Sequence, residues 1–562
     1  MLLKLSKFFT YASLFCVLVV LTGAFFPFIG GKTYFFRIAV ELAVAFAFLW
    51  WAFEAPAGEA ERALRHAFRK PLVAAVSVFV FVFLLAALFA DNPHGAFWSN
   101  YERGEGGFQM LHYYAFFLLL ALFFKDGRDW ERLFKVAVTA AFLMVFYGVG
   151  SAVLSAQCPQ STQLVHSSTS RTALPVCVGA ATTASGTPQY APSYTNPFGL
   201  VSAYIGPQGS VAPTFLGRLF SPSVRFQGSL GNPAYVAPYL LFVMFYCFHL
   251  FSKRTKSWWW FGAGIFFLLF LVLTQTRGSF IGFLFGAFVF LFYMLTRSEG
   301  VRRFRVRIVL WGFVLVNWLL AFHVLRISPE DASPWGFAKR LYDVGFNPGQ
   351  LQYFLVASVM LFVLIDVILT AKQKVQRIAA MLILAGVLAG GGVYIKTHGD
   401  FFRMKGAESF ATRVWTWGSA WQGFKERPLL GWGPENFPAV FDKHFNPKHF
   451  VPGKATETWF DRAHSVVFDY LAETGILGVL AYMAIFATFF SQCVKRFSKG
   501  AEVIVAQGLL IALTAGYLVQ ALVLFDVLPI YINLFLFLAF AAWWFDEAGQ
   551  GGVYVRHENH HS

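Results

Sequence analysis

The sequence predicts an all-α polytopic membrane protein with about 12–14 transmembrane helices and one large structured extracytoplasmic loop. Hydrophobic residues fill 57% of its 562 positions and charged residues only 13%, whereas a typical soluble protein carries about 25% charged residues. Apolar runs of about 17–25 residues, long enough to cross a bilayer core as helix, recur along the chain. Lys and Arg gather in short clusters between these runs. Together these observations leave no room for a conventional soluble domain.

The apolar runs predict roughly fourteen helices, with borders uncertain by a few residues. They lie near 8–30, 34–54, 72–90, 108–125, 131–153, 233–252, 257–276, 278–297, 306–326, 352–371, 377–396, 464–489, 502–525 and 528–545. With the N-terminus in the cytoplasm, every predicted inside loop is basic, as the positive-inside rule requires. These basic clusters lie at 62–70, 125–132, 253–256, 302–307, 372–377 and 495–499. We therefore expect a multi-pass protein of the cytoplasmic (inner) membrane.

The charge register divides the chain into helical blocks and exported loops. In order, we expect N-terminal helices at 1–153, a flexible extracytoplasmic insertion at 154–222, central helices at 223–396, a large extracytoplasmic loop at 397–463, C-terminal helices at 464–546 and a cytoplasmic tail at 547–562. The large loop holds a helix-like stretch from about 408 to 425 and is the first place to look for chemistry. Cys158 and Cys177 share the insertion, so a disulfide between them is open if it faces an oxidising compartment.

The formal net charge of +16 does not indicate a nucleic-acid-binding protein. In a soluble protein such an excess favours a polyanionic partner. Here the cations follow the topology of the membrane, and no basic patch is interleaved with aromatic residues. The expected surroundings are membrane lipids, and no nucleic-acid partner is predicted.

Four candidate side chains lie at the predicted outer ends of helices: Arg225, Arg277, Arg413 and His464. Taken singly, an Arg at a helix end often snorkels to the interface or caps carbonyls, and a lone His at a helix start is usually structural. Taken together, several guanidiniums and one imidazole suit an anionic, phosphate-bearing ligand and a proton to be moved. The pattern therefore indicates a site that faces the periplasm or extracytoplasmic side.

Several short strings resemble the O-antigen ligase and polymerase family over roughly residues 70–545. They are Gly431-Trp-Gly-Pro-Glu435-Asn436-Phe437, Asp461-Arg462-Ala463-His464, Leu471-Ala-Glu473-Thr-Gly-Ile-Leu-Gly478, Thr276-Arg277-Gly278-Ser279, Arg225…Gly228…Gly231-Asn232-Pro233 and Phe97-Trp-Ser-Asn-Tyr-Glu-Arg103. The family includes ligases that attach polysaccharide to the lipid A core and related protein O-oligosaccharyltransferases. Two positions depart from its pattern, because Ser465 and Ala234 stand where the family often has Asn.

The resemblance implies a GT-C-like, metal-independent, inverting glycosyltransferase. Its donor would be a polyprenyl-diphosphate-linked glycan and its acceptor a hydroxyl of a glycan, lipid or protein, with no cofactor. By motif, Arg277 and Arg413 would hold the diphosphate, Arg225 would assist, and His464 would activate the acceptor hydroxyl. The supporting residues would be Asp461, Arg462, Asn232, Glu435, Asn436, Glu473 and Arg103.

Chemistry and helix geometry refine these roles. Diphosphate is a good leaving group, so the enzyme must mainly stabilise growing negative charge and remove one proton. The alternative is a metal site at the pair Glu330-Asp331. Glu473 is nine residues after His464, which at about 100° per residue on one regular helix is half a turn out of phase. Asp461 is better placed to tune the imidazole.

The acceptor leaves alternatives open. A polysaccharide polymerase would use lipid-linked glycan as donor and acceptor, and a protein O-oligosaccharyltransferase would modify a polypeptide. A different class is a transporter of lipid-linked oligosaccharide, which should place its charged residues along a path at mid-membrane. In this sequence the candidates instead gather at the predicted external face.

Overall fold

The computed structural model of the protein describes the greater part of the chain. The described residues are 1–154 without 22, 25 and 101–103, five short strands between 162 and 212, 225–297 without 254–256, positions 375, 378 and 382, 407–450, 458–495 and 501–549. The predicted helices near 306–326 and 352–371, nearly all of the one near 377–396, Glu330-Asp331, Arg103, Cys158 and most of the tail lie outside these residues.

Helices dominate the described residues. The first seven are α1 (Leu2–Ser13), α2 (Gly30–Phe53), α3 (Glu59–Phe68), α4 (Pro71–Leu88), α5 (Pro93–Trp98), α6 (Gly107–Phe123) and α7 (Gly127–Leu154). The next three are α8 (Pro233–Ser252), α9 (Trp258–Leu273) and α10 (Arg277–Arg297). The last six are α11 (Ala407–Glu426), α12 (Phe437–Lys443), α13 (Val466–Glu473), α14 (Gly475–Lys495), α15 (Ala501–Ala521) and α16 (Leu528–Gly549). Short 3₁₀ turns cover Leu14–Leu18, Gly228–Leu230 and Pro447–His449.

Within the described ranges, 8 helices are long and apolar enough to cross a membrane. They are α2, α4, α7, α8, α10, α14, α15 and α16, while α6 and α9 are shorter apolar helices. The most enclosed is α16, because 94% of its most apolar stretch is buried by the other helices. The predicted fold class, an all-α polytopic membrane protein, is confirmed.

Short strands occur inside the predicted insertion. Strand β1 (Thr162–Val165) pairs antiparallel with β2 (Val176–Gly179). Strands β3 (Ser193–Thr195), β4 (Val201–Ile205) and β5 (Val211–Ala212) form an antiparallel sheet in the order β3-β4-β5. The backbone of these strands adds local β-structure to the helical membrane body.

Two predicted helices are wrong in outline. The run near 8–30 is helical only through α1 and the following 3₁₀ turn, and the described residues between Val19 and α2 are not helical. Pro27 lies in this stretch, and proline lacks the N–H that a helix interior needs. The run near 464–489 is two helices, α13 and α14, separated at Thr474, and Gly475 has a left-handed φ of +63°.

Ion pairs join the loops at one end of the bundle. The N-terminal ammonium lies 2.7 Å from Glu54, and Lys125 lies 3.2 Å from Glu59. Lys70 lies 3.1 Å from a carboxylate oxygen of Asp546. All of these residues fall in or beside segments predicted to face the cytoplasm, so the ion pairs bring two of the predicted basic loops, at 62–70 and 125–132, to the same end of the bundle.

Close packing of α10 on α15 sets the position of the hinge before α10. A Cβ atom on Gly282 would lie 2.5 Å from the carbonyl oxygen of Gly516, and one on Gly286 would lie 2.6 Å from that of Ala512. Small residues spaced by four let two membrane helices approach backbone to backbone. As a result, Arg277 at the start of α10 lies near the end of α15.

Candidate active site

A single buried guanidinium collects three carboxylates at the other end of the bundle. Arg462 Nη2 donates to Glu105 Oε2 at 3.1 Å and to Glu435 Oε1, and Nη1 donates to Glu473 Oε2 at 3.3 Å. Burial disfavours the charge on Arg462, but the carboxylates of Glu435, Glu473, Asp469 and Glu105 raise its pKa well above the usual value. Arg462 is therefore a permanent internal counter-ion.

Burial favours the neutral, protonated form of the Glu473 carboxyl group. Burial raises its pKa well above the usual value, and the neighbouring Asp469 and Glu435 add to the rise, while Arg462 opposes it. Three carboxylates exceed the charge of one guanidinium, so holding a proton on Glu473 lowers the cost of burying the cluster. The hydrogen bonds of Glu473 are with Arg462 and with the loop described next.

The loop that contains Glu435 is bonded to the end of α13. Trp432 N–H donates to Ala472 O at 2.9 Å, and Gly433 N–H donates to Glu473 O at 2.8 Å. Glu435 N–H donates to Glu473 Oε1 at 3.1 Å. Two of the strings that carry the family resemblance are therefore adjacent in space, although they are separate in sequence.

Asn436 closes the same loop. Its side-chain Nδ2 donates to Trp432 O at 3.0 Å and to Asn92 O at 3.4 Å. Trp432 is itself buried, with its indole N–H donating to Gly423 O at 2.9 Å. Asn436 and Trp432 thus shape the loop, and Trp432 is enclosed within it.

His464 lies in a tight turn just before α13. Its φ is +57°, a left-handed backbone conformation that is uncommon for a residue with a side chain. Asp469 Oδ1 accepts a bond from Ala463 N–H at 2.6 Å and so stabilises this turn. The Phe460 and Phe525 rings lie edge-on to the imidazole, with centroids 5.3 and 5.2 Å away. The half-buried imidazole is therefore fixed on two sides.

One hydrogen bond selects the tautomer of His464. Nδ1 lies 3.1 Å from the main-chain carbonyl of Arg462. A carbonyl can only accept, so Nδ1 carries the proton of the neutral ring and Nε2 carries the lone pair. This arrangement suits an imidazole that removes a proton through Nε2.

Arg225 and Arg277 meet at the hinge between α9 and α10. Arg225 Nε donates to Thr274 O at 2.9 Å, and its Nη2 donates to Thr276 Oγ1 at 3.2 Å. Arg225 is exposed as a whole residue, but partial desolvation of its guanidinium and the nearby Arg277 both lower its pKa. The structure thus brings two of the predicted anion ligands together, and an anion beside them would relieve their mutual repulsion.

Asn232 starts the helix that follows the Arg225 string. Its side-chain Oδ1 accepts a hydrogen bond from Ala234 N–H at 2.8 Å, which caps the N-terminus of α8. The observed role of Asn232 is therefore to place α8, and Thr276 Oγ1 donates to Pro233 O at 3.1 Å beside it.

Residues 522–527, which we call the 522–527 link, contact both the hinge between α9 and α10 and the turn that contains His464. A Cβ on Gly278 would lie 2.6 Å from Val523 Cγ2, so the first turn of α10 packs on the link. Two residues further on, Phe525 packs on His464, and Val466 N–H donates to Leu524 O at 3.3 Å. Arg277 and His464 are 187 positions apart in the sequence. The 522–527 link nevertheless contacts both Gly278, next to Arg277, and His464 itself.

Arg413 lies on α11, within the predicted helix-like stretch. Trp417, one turn further on, stacks on Phe468 of α13 with ring centroids 5.1 Å apart. Residues four apart share a helix face, so Arg413 lies on the face of α11 that packs against α13. Arg413 therefore lies on the helix that packs against α13, the helix that begins just after His464.

Comparison with known families adds one match. The family model described as O-antigen ligase matches residues 353–483. The chain carries an O-antigen ligase-like domain. This O-antigen ligase-like domain contains α11, α12 and α13, and therefore Arg413, Glu435, Arg462, His464 and Glu473. It supports a ligase- or polymerase-type function that involves a lipid-linked glycan and an acceptor in general. A search of curated proteins found no match.

Parts of the site lie outside the O-antigen ligase-like domain or were missed from the sequence. Arg225 and Arg277 precede the domain. Asp461 is half-buried in the turn before Arg462, and its tuning of the imidazole stays a prediction. Sequence reasoning missed three residues: Glu105, Asp469 and Phe525. For Glu105 a signal existed, since an acid flanked by glycines directly precedes an apolar helix.

Proposed function

We propose that the protein is a membrane glycosyltransferase of the O-antigen ligase type. It transfers a polyprenyl-diphosphate-linked glycan to an acceptor hydroxyl on the outer face of the cytoplasmic membrane. The observation that carries this proposal is the His464 imidazole, whose Nδ1 is held by the Arg462 carbonyl, inside the O-antigen ligase-like domain. The paired arginines at the hinge support it with an anion-binding chemistry.

The proposed reaction is a single displacement. His464 Nε2 takes the proton of the acceptor hydroxyl as its oxygen attacks the anomeric carbon of the donor sugar. A new C–O bond forms to the acceptor, and the C–O bond to the diphosphate breaks with inversion. The electron pair of the broken bond remains on the polyprenyl diphosphate, and the proton remains on the imidazole until solvent removes it.

The arginines stabilise the leaving group. Arg277, Arg413 and Arg225 would bind the diphosphate oxygens, since a guanidinium fork matches phosphate geometry. Both depressing influences on the Arg225 pKa, partial desolvation and Arg277, are offset when an anion binds. The proposed mechanism needs no metal, because these cations and one imidazole supply charge stabilisation and proton removal.

Mass spectrometry of cells with and without the protein tests the proposal. With it, the glycan should be found covalently attached to an acceptor; without it, the same glycan should accumulate on polyprenyl diphosphate. The mass of the modified species identifies the acceptor as lipid, protein or growing glycan. A change only in the distribution of glycolipid between leaflets, with no acceptor modified in either strain, would show a transporter instead.

A further inference from the structure

We propose that Glu105 is a positioning residue for His464; this rests on the proposed function. Glu105 is buried at the start of α6 and lies outside the O-antigen ligase-like domain. Its two carboxylate oxygens have different partners. Oε2 accepts from Arg462 Nη2 at 3.1 Å, and Oε1 accepts from Leu528 N–H at 3.0 Å.

Both partners of Glu105 belong to segments that contact the His464 imidazole. Arg462 provides the carbonyl that binds His464 Nδ1 at 3.1 Å. Leu528 directly follows the 522–527 link, whose Phe525 ring lies edge-on to the imidazole at 5.2 Å and 88°. One carboxylate therefore ties together the two pieces of backbone that determine the position and tautomer of His464.

Glu105 is itself held firmly. Its N–H donates to Ser99 Oγ at 3.1 Å, and the Ser99 hydroxyl donates to Glu435 Oε2 at 2.7 Å. A Cβ on the following Gly106 would lie 2.6 Å from Ala96 O, so the backbone after Glu105 is pressed against α5. The backbone of Glu105 is thus fixed by the N-terminal part of the chain, while its carboxylate binds Arg462 and Leu528 of the C-terminal part. A residue that positions another needs such rigid support.

The charge of Glu105 is needed as well as its shape. A Gln at this position could accept from Leu528 N–H, but it could not serve Arg462 with a second acceptor oxygen. Its NH₂ group would face the guanidinium, donor against donor, in a buried site. Arg462 would then shift, and its carbonyl would move with it.

The test compares Glu105→Gln, Glu105→Asp and Glu105→Ala with the wild-type enzyme. Detergent-solubilised membranes of cells lacking the protein supply the acceptor, and glycolipid extracted from those cells is the donor whose concentration is varied. We expect kcat to fall about 10–100-fold for Gln and further for Ala, since a misplacement of about 1 Å costs roughly 100-fold. The donor KM should stay within about threefold, because the proposed role of Glu105 is to position His464 and not to bind the donor.

The Asp variant keeps the charge but is one methylene shorter, so it should retain part of kcat. It also guards against misfolding of the Gln and Ala variants, since it preserves the ion pair. Glu41→Gln is the matched control: Glu41 pairs with His112 at 2.9 Å, is 56% exposed and lies outside the site, so kcat should not change.

Each outcome is decisive. Wild-type kcat in a folded Glu105→Gln or Glu105→Asp variant overturns the positioning role, and so does a raised donor KM at unchanged kcat. If His464→Ala keeps the wild-type rate, His464 is not the base and the positioning role of Glu105 falls with it; if even the wild-type protein modifies no acceptor, the proposed function itself is wrong. An inactive His464→Ala beside a fully active Glu105→Gln rejects only the role of Glu105.

Discussion

The main-chain carbonyl of Arg462 accepts a hydrogen bond from Nδ1 of His464 at 3.1 Å, while the side chain of the same arginine donates hydrogen bonds to three glutamates. One residue thus connects the buried charge cluster to the imidazole. The arrangement yields predictions for the imidazole, the arginines, the loop backbone and a buried acid.

Replacing His464 by Ala should stop transfer and leave a folded protein. The side chain is half-buried in a turn, so its loss opens little space, whereas no other group is proposed to take the acceptor's proton. Glycolipid accumulation by mass spectrometry and elution in size-exclusion chromatography would be measured together. Normal transfer by the folded variant would remove His464 from the mechanism.

Replacing Arg277 by Lys should lower transfer by about 100-fold or more, because an ammonium cannot reproduce a guanidinium fork on a diphosphate. The assay is initial rate at saturating donor. The control is Arg427→Lys. Arg427 forms an ion pair with Asp91 at 2.6 Å and does not belong to the hinge, so this variant should keep the wild-type transfer rate. Wild-type kinetics for Arg277→Lys would contradict a diphosphate role.

Replacing Gly431 by Ala should destabilise the loop by about 2 kcal/mol or more. Gly431 has φ +68°, and its Cβ would lie 2.5 Å from the backbone carbon of Glu473. Gly418→Ala is the opposite case, because that exposed glycine lies within α11 with nothing within 4 Å of its Cβ. It should stabilise the helix by about 0.5–1 kcal/mol. Thermal unfolding in detergent measures both; equal shifts would argue against the loop geometry.

Replacing Asp526 by Asn should change how stability depends on pH. Burial raises the pKa of Asp526 to about 7, against about 3.9 in an unfolded chain. The folded state therefore binds more protons between these values, and wild-type stability should fall as pH rises from about 4 to 7. The Asn variant should lose this part of the dependence.

Thermal unfolding of both proteins at pH 5.5 and pH 8 measures the effect. Asp91→Asn, which removes an exposed acid paired with Arg427, should keep the wild-type dependence. The same pH response in Asp526→Asn and wild type would show that another group is responsible.

The sequence predicted helix positions well where the length of an apolar run determines where the helix begins and ends. The run predicted at 233–252 is Pro233–Ser252, and the stretch expected near 408–425 is Ala407–Glu426. Prediction was wrong where one residue overrides the pattern. Pro27 lies in the stretch where 8–30 is no longer helical, and the break at Thr474 divides 464–489, although both runs are mostly apolar.

The site was less predictable, because its central contacts join distant residues. Helical periodicity between His464 and Glu473 assumed one regular helix, but the helix begins at Val466, after His464. No local pattern could pair Arg462 with Glu105, since 357 positions separate them. The resemblance drew attention to Arg103, two residues away from the carboxylate that the structure uses.

The same separation affects how the protein is made. At about 5–20 residues per second, Glu105 is synthesised tens of seconds before Arg462. During that interval the nascent N-terminal helices carry an acid whose buried counter-ion does not yet exist, so this face must remain hydrated or protonated. Docking of the last helices supplies the cation and expels water in one late step. Chains released before Arg462 is synthesised would therefore keep an open polar face that quality-control proteases recognise.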